Sequence, residues 1–283
     1  MIGVTGATGQ LGRLVMDGLL EKGVPAGELV AVVRSPDRAS RWAEQGVQVR
    51  KADYEEPDTL PPALKGVEKL LLISASEVGR RAAQHRNVVD AAVAEGVELL
   101  AYTSILNVET SRMELAQAHQ ETEQLIGESG LPFVFLRNGW YLENYTAQIP
   151  TYIEHGAVLG SAGDGQVSGA SRTDYADAAV AVLTGDVLDH AVYELGGDEP
   201  FTLPELAREL SRQSGKEVEY RDLPEEAYAE ALIAAGLPEA LARALADADR
   251  GIARSELYTE RQDLRDLIGR PAKSLSEAIA AAL

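Results

Sequence analysis

The first 137 residues alternate between short apolar runs and longer amphipathic stretches. This alternation predicts βαβ units wound into a parallel sheet, and most of the strands are near-continuously apolar, as expected where helices cover both faces. Six strands are predicted, at Met1–Thr5, Leu29–Val33, Val47–Lys51, Leu70–Ser74, Leu99–Thr103 and Phe133–Arg137. A first helix is indicated by Leu11, Val15 and Leu19, which fall on one helical face. Further helices are predicted at Arg38–Gln45, Arg80–Glu95 and Met113–Ser129.

After Arg137 the regular alternation gives way to loops rich in aromatic residues and glycine. Later elements indicate a smaller α/β portion, with a strand at Val192–Leu195 and two helices between Pro224 and Ala246. Two capping-box patterns, Thr202 to Glu205 and Ser274 to Glu277, predict helix starts. The expected fold is α/β, a Rossmann-like doubly wound parallel sheet over residues 1–144, with a smaller C-terminal α/β substrate-binding portion over 145–283 packed against it.

A glycine-rich turn lies directly after the first strand and opens the first helix. Its residues are Gly6, Ala7, Thr8, Gly9, Gln10, Leu11 and Gly12. Glycines at this spacing let the backbone turn tightly, approach a pyrophosphate and pack the helix closely on the strand, while the helix N-terminus offers N–H groups to the anion. The turn therefore predicts nucleotide binding; the alternative is a glycine-rich turn that binds nothing.

The residue after the second strand distinguishes the two nicotinamide cofactors. An acidic residue there would bond the 2′-hydroxyl of NAD, whereas this chain has Arg34. A guanidinium suits a 2′-phosphate because it supplies charge and a bidentate fork, so NADPH is the expected cofactor. The alternative is a solvated surface arginine.

Other strand ends should line the same crevice at the carboxyl edge of the sheet. Asp53 and Tyr54 follow the third strand and are candidates for contact with adenine. Candidates for contact with a ribose follow the fourth and fifth strands, at Ser74, Ala75, Ser76, Thr103 and Ser104. Small hydroxyl residues at these positions are also ordinary strand terminators.

Composition excludes several classes of protein. The net charge of −19 disfavours binding to nucleic acid or anionic lipid, and the absence of cysteine removes disulfides and thiolate chemistry. The four histidines show no metal-ligand spacing, so no metal is expected. No apolar stretch is long enough to span a membrane and no leader is evident, so a cytoplasmic location is expected, while the oligomeric state is not indicated.

None of the ten tyrosines has a lysine four residues later, so the Tyr-x-x-x-Lys dyad that protonates a ketone oxygen in ordinary short-chain reductases is absent. This absence lowers the expectation of simple ketone reduction. Substrates that delocalise the charge delivered by hydride, such as quinones, need less help from an acid.

Several segments are distinctive in combination: Gly-Ala-Thr-Gly-Gln-Leu-Gly at 6–12, Val-Val-Arg at 32–34, Ser-Glu-Val-Gly at 76–79, Gln-His-Arg-Asn-Val at 84–88, Ala-Tyr-Thr-Ser at 101–104 and Leu-Arg-Asn-Gly-Trp-Tyr at 136–141. Together they resemble the NmrA-like atypical short-chain dehydrogenase/reductases (atypical SDR), in particular the NAD(P)H:quinone oxidoreductase type 2 group, a sibling of triphenylmethane reductase. The resemblance runs along nearly the whole chain.

This resemblance implies an oxidoreductase that passes hydride from NADPH directly to a quinone without flavin. It places the cofactor ribose and nicotinamide at Ser74, Ala75 and Ser76, and implies that Asn138 bonds the quinone oxygen as charge develops. The loop expected beside the nicotinamide comprises Asn138, Gly139, Trp140, Tyr141, Leu142 and Glu143. The alternative role for Asn138 is that of a loop amide capping a turn.

His119 occupies the position of a catalytic lysine in the related isoflavone-reductase branch, thirteen residues before Pro132. It is therefore a candidate proton donor or ribose contact, with a hydrogen-bonded core histidine as the alternative. The same resemblance leaves two other functions open: reduction of conjugated acceptors such as triarylmethane dyes, and a redox sensor that binds NADP(H) and acts through a protein partner.

Overall fold

The computed structural model describes residues 1–75, 79–185 and 190–283. The chain forms two compact units. The first comprises Met1–Ser104, Ala118–Arg137 and Arg172–Tyr193, and the second comprises Ile105–Gln117, Asn138–Ser171 and Glu194–Leu283. This division differs from the expected single boundary between residues 144 and 145. The chain passes repeatedly from one unit to the other, which hydropathy patterns along a sequence do not reveal.

Strands and helices alternate through the first half of the chain. The strands are β1 (Ile2–Thr5), β2 (Leu29–Val33), β3 (Gln48–Lys51), β4 (Lys69–Leu72), β5 (Leu99–Ile105), β6 (Phe133–Asn138), β7 (Ala157–Gly160), β8 (Ala191–Leu195) and β9 (Glu219–Asp222). The helices are α1 (Gln10–Glu21), α2 (Ser40–Ala43), α3 (Leu60–Leu64), α4 (Arg81–Glu95), α5 (Glu114–Glu128), α6 (Glu143–Thr146), α7 (Ile149–His155), α8 (Arg172–Thr184), α9 (Leu203–Ser214), α10 (Glu225–Ala234), α11 (Glu239–Ala253), α12 (Asp263–Ile268) and α13 (Leu275–Ala282).

A seven-stranded sheet organises the first unit, in the order β3-β2-β1-β4-β5-β6-β8. The strands β3, β2, β1, β4 and β5 pair in parallel, and Val4 of β1 lies in register with Ala31 of β2 and Leu71 of β4. The strand order reverses at β1, because β2 lies on one side of it and β4 on the other. This reversal is the point where doubly wound sheets bind ligands at their carboxyl edge, and the predicted Rossmann-like fold is confirmed.

Helices of the first unit bury the faces that the sequence pattern predicts. Leu11, Val15 and Leu19 of α1 are all buried, in agreement with their spacing. Helix α8 packs on α1, where a Cβ added at Gly18 would lie 3.0 Å from Val180 Cγ2. No pattern along the sequence predicts that the segment containing α8 returns to this unit.

The second unit contains a small parallel sheet of β7 and β9 and most of the later helices. Both predicted capping boxes are present, at Thr202 with Glu205 and at Ser274 with Glu277. The two helices expected between Pro224 and Ala246 are found as α10 and α11. Strand β9 was missed because its residues are mostly polar and exposed, so no apolar alternation marks it.

The strand predicted at Val192–Leu195 exists as β8, but it lies in the seven-stranded sheet and not in a separate smaller sheet. The fourth predicted strand is also shorter than expected, because β4 ends at Leu72 and not at Ser74. Across the described ranges, no helix is both long and apolar enough to cross a membrane.

Candidate active site

The glycine loop connects the carboxyl end of β1 to the first turn of α1. Gly6 has a φ of +58°, in the left-handed region that favours glycine. A Cβ added at Gly12 would lie 2.4 Å from the carbonyl oxygen of Gly6, so a side chain there would force the helix away from the loop. Ala7 and Leu11 are buried, so their side chains face the core. The exposed surface of the loop comes from Gly6, Gly9 and Gln10, with Thr8 partly buried.

The N-terminus of α1 is open to an anion. Its N-cap is Gly9, which has no side chain to bond the first-turn N–H groups, and the first turn contains no acidic residue. These N–H groups have no partner within the helix, and the helix dipole places partial positive charge beside them. The loop and the uncapped helix therefore fit the pyrophosphate of a dinucleotide.

Arg34 directly follows β2 and is exposed at the edge of the sheet. Asp53 follows β3 closely, but its Oδ1 accepts the Glu55 N–H at 3.0 Å and its own N–H donates to Thr59 Oγ1 at 3.0 Å. Its carboxylate thus shapes the turn at 53–56. Arg34 remains the positively charged residue that the first unit presents at the end of β2.

Tyr54 does not present its hydroxyl at the surface. The hydroxyl bonds to Thr5 Oγ1 and donates to the Ile73 carbonyl oxygen at 3.2 Å, and burial raises its pKa. The hydroxyl of Tyr54 thus ties the ends of β1 and β4 together. The ring is only partly buried, so its contact with adenine stays a prediction.

Beyond β4 the main chain is held by side chains and no longer by a neighbouring strand. The Ile73 N–H donates to Thr5 Oγ1 at 3.1 Å, and the Ser74 N–H donates to Thr103 Oγ1 at 2.9 Å. A Cβ added at Gly6 would lie 3.7 Å from Ile73 Cβ, so this segment runs beside the glycine loop. These bonds explain why β4 is shorter than the sequence suggests.

Both polar groups of Ala75 also bond to side chains. Its N–H donates to His85 Nε2 at 3.0 Å, and its carbonyl oxygen accepts from Arg81 Nε at 2.7 Å. Sequence reasoning assigned no role to Arg81 or to His85. Ser76, the last candidate in this group, lies outside the described residues.

His119 lies in the first unit and shares a 2.8 Å hydrogen bond between its Nδ1 and the Tyr102 hydroxyl. Burial, reinforced by the charge of Arg81, holds the pKa of His119 well below its usual value. The imidazole is therefore neutral at physiological pH and has no readily lost second proton. This geometry fits the hydrogen-bonded core histidine better than the proton donor.

A buried ion pair joins α5 to β6 in the first unit. Arg137 Nε lies 3.0 Å from Glu123 Oε1, and Arg137 Nη2 lies 2.7 Å from Glu123 Oε2. The two side chains are only 7% and 8% exposed. Sequence reasoning missed this pair, although Glu123 follows His119 by four residues and so shares its helical face.

Asn138 belongs to the second unit, where its main chain is fixed on both sides. Its carbonyl oxygen accepts the Leu106 N–H at 2.9 Å, and the next N–H, that of Gly139, donates to the Leu195 carbonyl oxygen at 2.8 Å. The side-chain Oδ1 is buried and has no hydrogen-bond partner within the described part of the chain. Because buried polar groups are nearly always bonded, this amide is a candidate to bind a ligand.

The loop that follows Asn138 is anchored in the second unit. The Ala170 N–H donates to the Trp140 carbonyl oxygen at 3.1 Å, and the Leu142 N–H donates to the Ala170 carbonyl oxygen at 3.0 Å. The Leu142 side chain is in the core, so the expectation that it contacts the cofactor is not supported by its side chain or its N–H. Tyr141 is partly buried and bridges to Ala170, and Glu143 begins α6.

A buried carboxylate in the second unit was not anticipated. Asp249 of α11 accepts the Ser161 N–H at 2.8 Å, and burial raises its pKa to about 7. The hydroxyls of Tyr145 and Ser161 are buried and lack hydrogen-bond partners among the described residues. No pattern of spacing in the sequence links these residues, since they come from separate segments.

The described part of the chain contains no group of three or more His, Cys, Asp or Glu side chains placed to hold a metal ion. The first unit carries the glycine loop, Arg34, Asp53, Ser74, Ala75 and His119, and the second carries residues 138–143. The candidate residues thus belong to both units.

Comparison with known proteins gives four likenesses. A model of the NAD(P)H-binding family matches residues 6–186. Quinone oxidoreductase 2 of Escherichia coli (strain K12) is 50% identical over 279 residues, which cover 99% of this chain and 97% of that protein. The crystal structure of an NADPH-dependent quinone oxidoreductase of Escherichia coli with NADPH is also 50% identical, with a TM-score of 0.97 over 99% of both chains. Triphenylmethane reductase of Citrobacter sp. with NADP(H) is 38% identical, with a TM-score of 0.93 over 100% of this chain and 99% of that one.

Proposed function

This chain belongs to the NAD(P)H-binding family, and we propose on that premise that it catalyses the two-electron reduction of a quinone by NADPH. The observation that carries the proposal is the likeness, along nearly the whole of both chains, to the quinone oxidoreductase of Escherichia coli. NADPH supplies the hydride when it is bound. The role of the protein is to hold the cofactor, to orient the acceptor and to stabilise the charge that develops on it.

The first unit binds the cofactor. The open N-terminus of α1 holds the pyrophosphate, and Arg34 pairs with the 2′-phosphate beyond β2. The segment at Ser74 and Ala75 lies on the opposite side of β1 from β2, so it faces the nicotinamide half. The dinucleotide thus crosses the sheet edge at the point where the strand order reverses.

The side-chain Nδ2 of Asn138, in the second unit, donates a hydrogen bond to the quinone oxygen as negative charge develops there, and the buried Oδ1 of the same amide is available to accept one from a bound ligand. A preorganised amide lowers the barrier because it needs no reorganisation during the reaction. Trp140 and Tyr141 provide flat surfaces for an aromatic acceptor. A neutral His119 plays no part in proton donation, and no flavin is required for direct hydride transfer.

The first test is the loss of NADPH absorbance by purified protein with a panel of quinones, with NADH alongside and bound flavin checked spectrally. We expect quinone-dependent oxidation that prefers NADPH, with no flavin spectrum. A cationic triarylmethane dye belongs in the panel because of the likeness to triphenylmethane reductase. Turnover of the dye alone would move the substrate class to such dyes, and tight NADPH binding without any turnover would indicate a redox sensor.

Arg34→Ala is expected to weaken NADPH binding by about 10- to 100-fold and to change NADH binding by less than about 2-fold. A charge-assisted hydrogen bond contributes about 1.5–3 kcal/mol, and only NADPH carries the 2′-phosphate that Arg34 would bond. Titration calorimetry with both cofactors measures the difference. Arg86→Ala, an exposed arginine of α4, is the control for loss of one positive charge. Equal losses of affinity for both cofactors would contradict the pairing of Arg34 with the 2′-phosphate.

Asn138→Ala is expected to lower kcat by about 10- to 100-fold, which corresponds to about 1.4–2.7 kcal/mol of transition-state stabilisation. The KM for NADPH should change much less, because the amide acts on the acceptor. Steady-state kinetics at saturating NADPH measure the effect, and the melting temperature reports whether the variant folds. A folded variant with unchanged kcat would assign Asn138 to the loop structure alone.

A further inference from the structure

The carboxyl edge of the sheet has two sides, separated by β1. Arg34 lies at the end of β2, so the adenosine half of the cofactor belongs on that side under the proposed function. The other half then lies over the end of β4, where residues 73–75 run beside Gly6. The shape of this segment therefore decides where the nicotinamide ring can lie.

Ala75 is the last described residue of that segment, and α4 holds its main chain at both polar groups. His85 accepts its N–H and Arg81 donates to its carbonyl oxygen. Both side chains are buried, with exposures of 0% for His85 and 7% for Arg81. The segment is thus held in place by buried side chains and not by groups exposed to solvent.

The bonds of His85 define its protonation. Since Nε2 accepts the Ala75 N–H, the ring proton must be on Nδ1, which lies 2.9 Å from Thr122 Oγ1. Thr122 in turn donates to the Ala118 carbonyl oxygen at 2.9 Å, so its oxygen is available to accept from His85. A charged imidazolium would bring two N–H groups together at Ala75. Burial and the charge of Arg81 keep the ring neutral by lowering the pKa of His85 to about 3.

Arg81 is buried without a carboxylate partner among the described residues. Its one hydrogen bond in this part of the chain is the bond to Ala75. A buried charge without a counterion costs free energy, and an apolar side chain of similar length would avoid that cost. Within the described residues, the bond to Ala75 is the contact that accounts for the polar end of this side chain.

We propose that Arg81 and His85 are positioning residues that fix the Ala75 peptide as one wall of the nicotinamide half of the cofactor site. This inference rests on the proposed function. Because the N–H and the carbonyl oxygen of Ala75 are both already bonded, this residue presents an unchanging backbone surface to the ring and fixes the direction of the adjacent Ser74. Neither side chain needs to touch the cofactor.

The test compares two ligands that differ only in the nicotinamide. NADPH carries the ring, and 2′-phospho-ADP-ribose carries the same adenosine, phosphates and ribose without it. In His85→Leu and in Arg81→Met we expect the Kd of NADPH to rise about 10-fold, while the Kd of 2′-phospho-ADP-ribose changes less than about 2-fold. The melting temperatures of both variants report whether they fold, so that a change in NADPH binding is separated from a loss of structure.

Two further variants sharpen the comparison. His85→Gln places an acceptor oxygen near the Ala75 N–H and should restore NADPH binding to within about 3-fold of the parent. Arg86→Met, on the exposed side of the same helix, should leave both ligands unaffected. Equal weakening of both ligands in the Leu and Met variants, or no weakening of either, would overturn the proposal.

A measurement on the unaltered protein does not depend on the folding of any variant. Nitrogen-15 spectra should show the ring of His85 in the neutral form protonated on Nδ1. A proton on Nε2 would contradict the bond to Ala75 and overturn the proposal. If the unaltered protein bound 2′-phospho-ADP-ribose more tightly than NADPH, the cofactor assignment itself would fail. That result is distinct from the outcomes with the variants.

Discussion

Replacing Glu123 with alanine is expected to lower the free energy of unfolding by about 3–5 kcal/mol. The substitution leaves the guanidinium of Arg137 buried without its carboxylate, in a strand of the central sheet. The cost comes from removing this carboxylate from a buried guanidinium more than from the lost packing contact. Urea denaturation followed by circular dichroism measures the change.

Glu121→Ala provides the matched control, since Glu121 lies two residues earlier on α5 and is exposed. Its effect should stay within about 0.5 kcal/mol. Replacing both Glu123 and Arg137 with methionine should cost less than Glu123→Ala alone, because no charge is then stranded. A double variant that is less stable than the single one would show that the pair contributes through specific geometry and not through avoided desolvation.

Asp249→Asn is expected to raise the free energy of unfolding at pH 8 by about 2–4 kcal/mol. Burial raises the pKa of the Asp249 carboxyl to about 7, well above its ordinary value of 3.8. Between these two values the unfolded chain releases a proton that the folded chain retains, so stability falls as pH rises from about 4 to about 7. An asparagine amide keeps an oxygen for the Ser161 N–H and carries no charge to desolvate.

The difference between variant and parent should therefore depend on pH. It should be largest above pH 7, shrink as the pH falls, and nearly vanish near pH 4. Denaturation series at several pH values measure it, with Asp90→Asn, an exposed residue of α4, as the control. A gain in stability that was the same at pH 4 and pH 8 would mean that the carboxyl is not the cause.

The periodicity of the sequence was sufficient to predict the first six strands and the doubly wound fold, because most of these strands are apolar and a helix such as α1 has one apolar face. Local chemistry was sufficient for the helix starts at Thr202 and Ser274, where capping depends on residues three apart. The position of β8 was not predictable in this way. Its place beside β6 is set by packing against segments that are distant in the chain. The residues of β8 themselves do not indicate which of the two sheets it joins.

The candidate site shows the same division. The glycine loop could be located from spacing, since the turn and helix around it are local. The bonds of Ala75 to Arg81 and His85 could not be predicted from spacing. A histidine and an arginine in a helix show no pattern in the sequence that reveals which distant main-chain groups they bond. The inward bonds of the Tyr54 hydroxyl were equally unpredictable, because they join it to Thr5 and Ile73, which are distant along the chain.

The route of the chain between the two units governs what can fold during synthesis. Helix α1 packs on α8, and roughly 150 residues separate them along the chain. At a translation rate of about 5–20 residues per second, that interval lasts roughly 8–30 s. During this time the side of α1 that contacts α8 has no partner, and the sheet lacks β8 as its last strand. The first unit is thus incomplete until α8 and β8 have been synthesised. Chaperones that bind exposed apolar surface should therefore bind the nascent chain mostly during this interval.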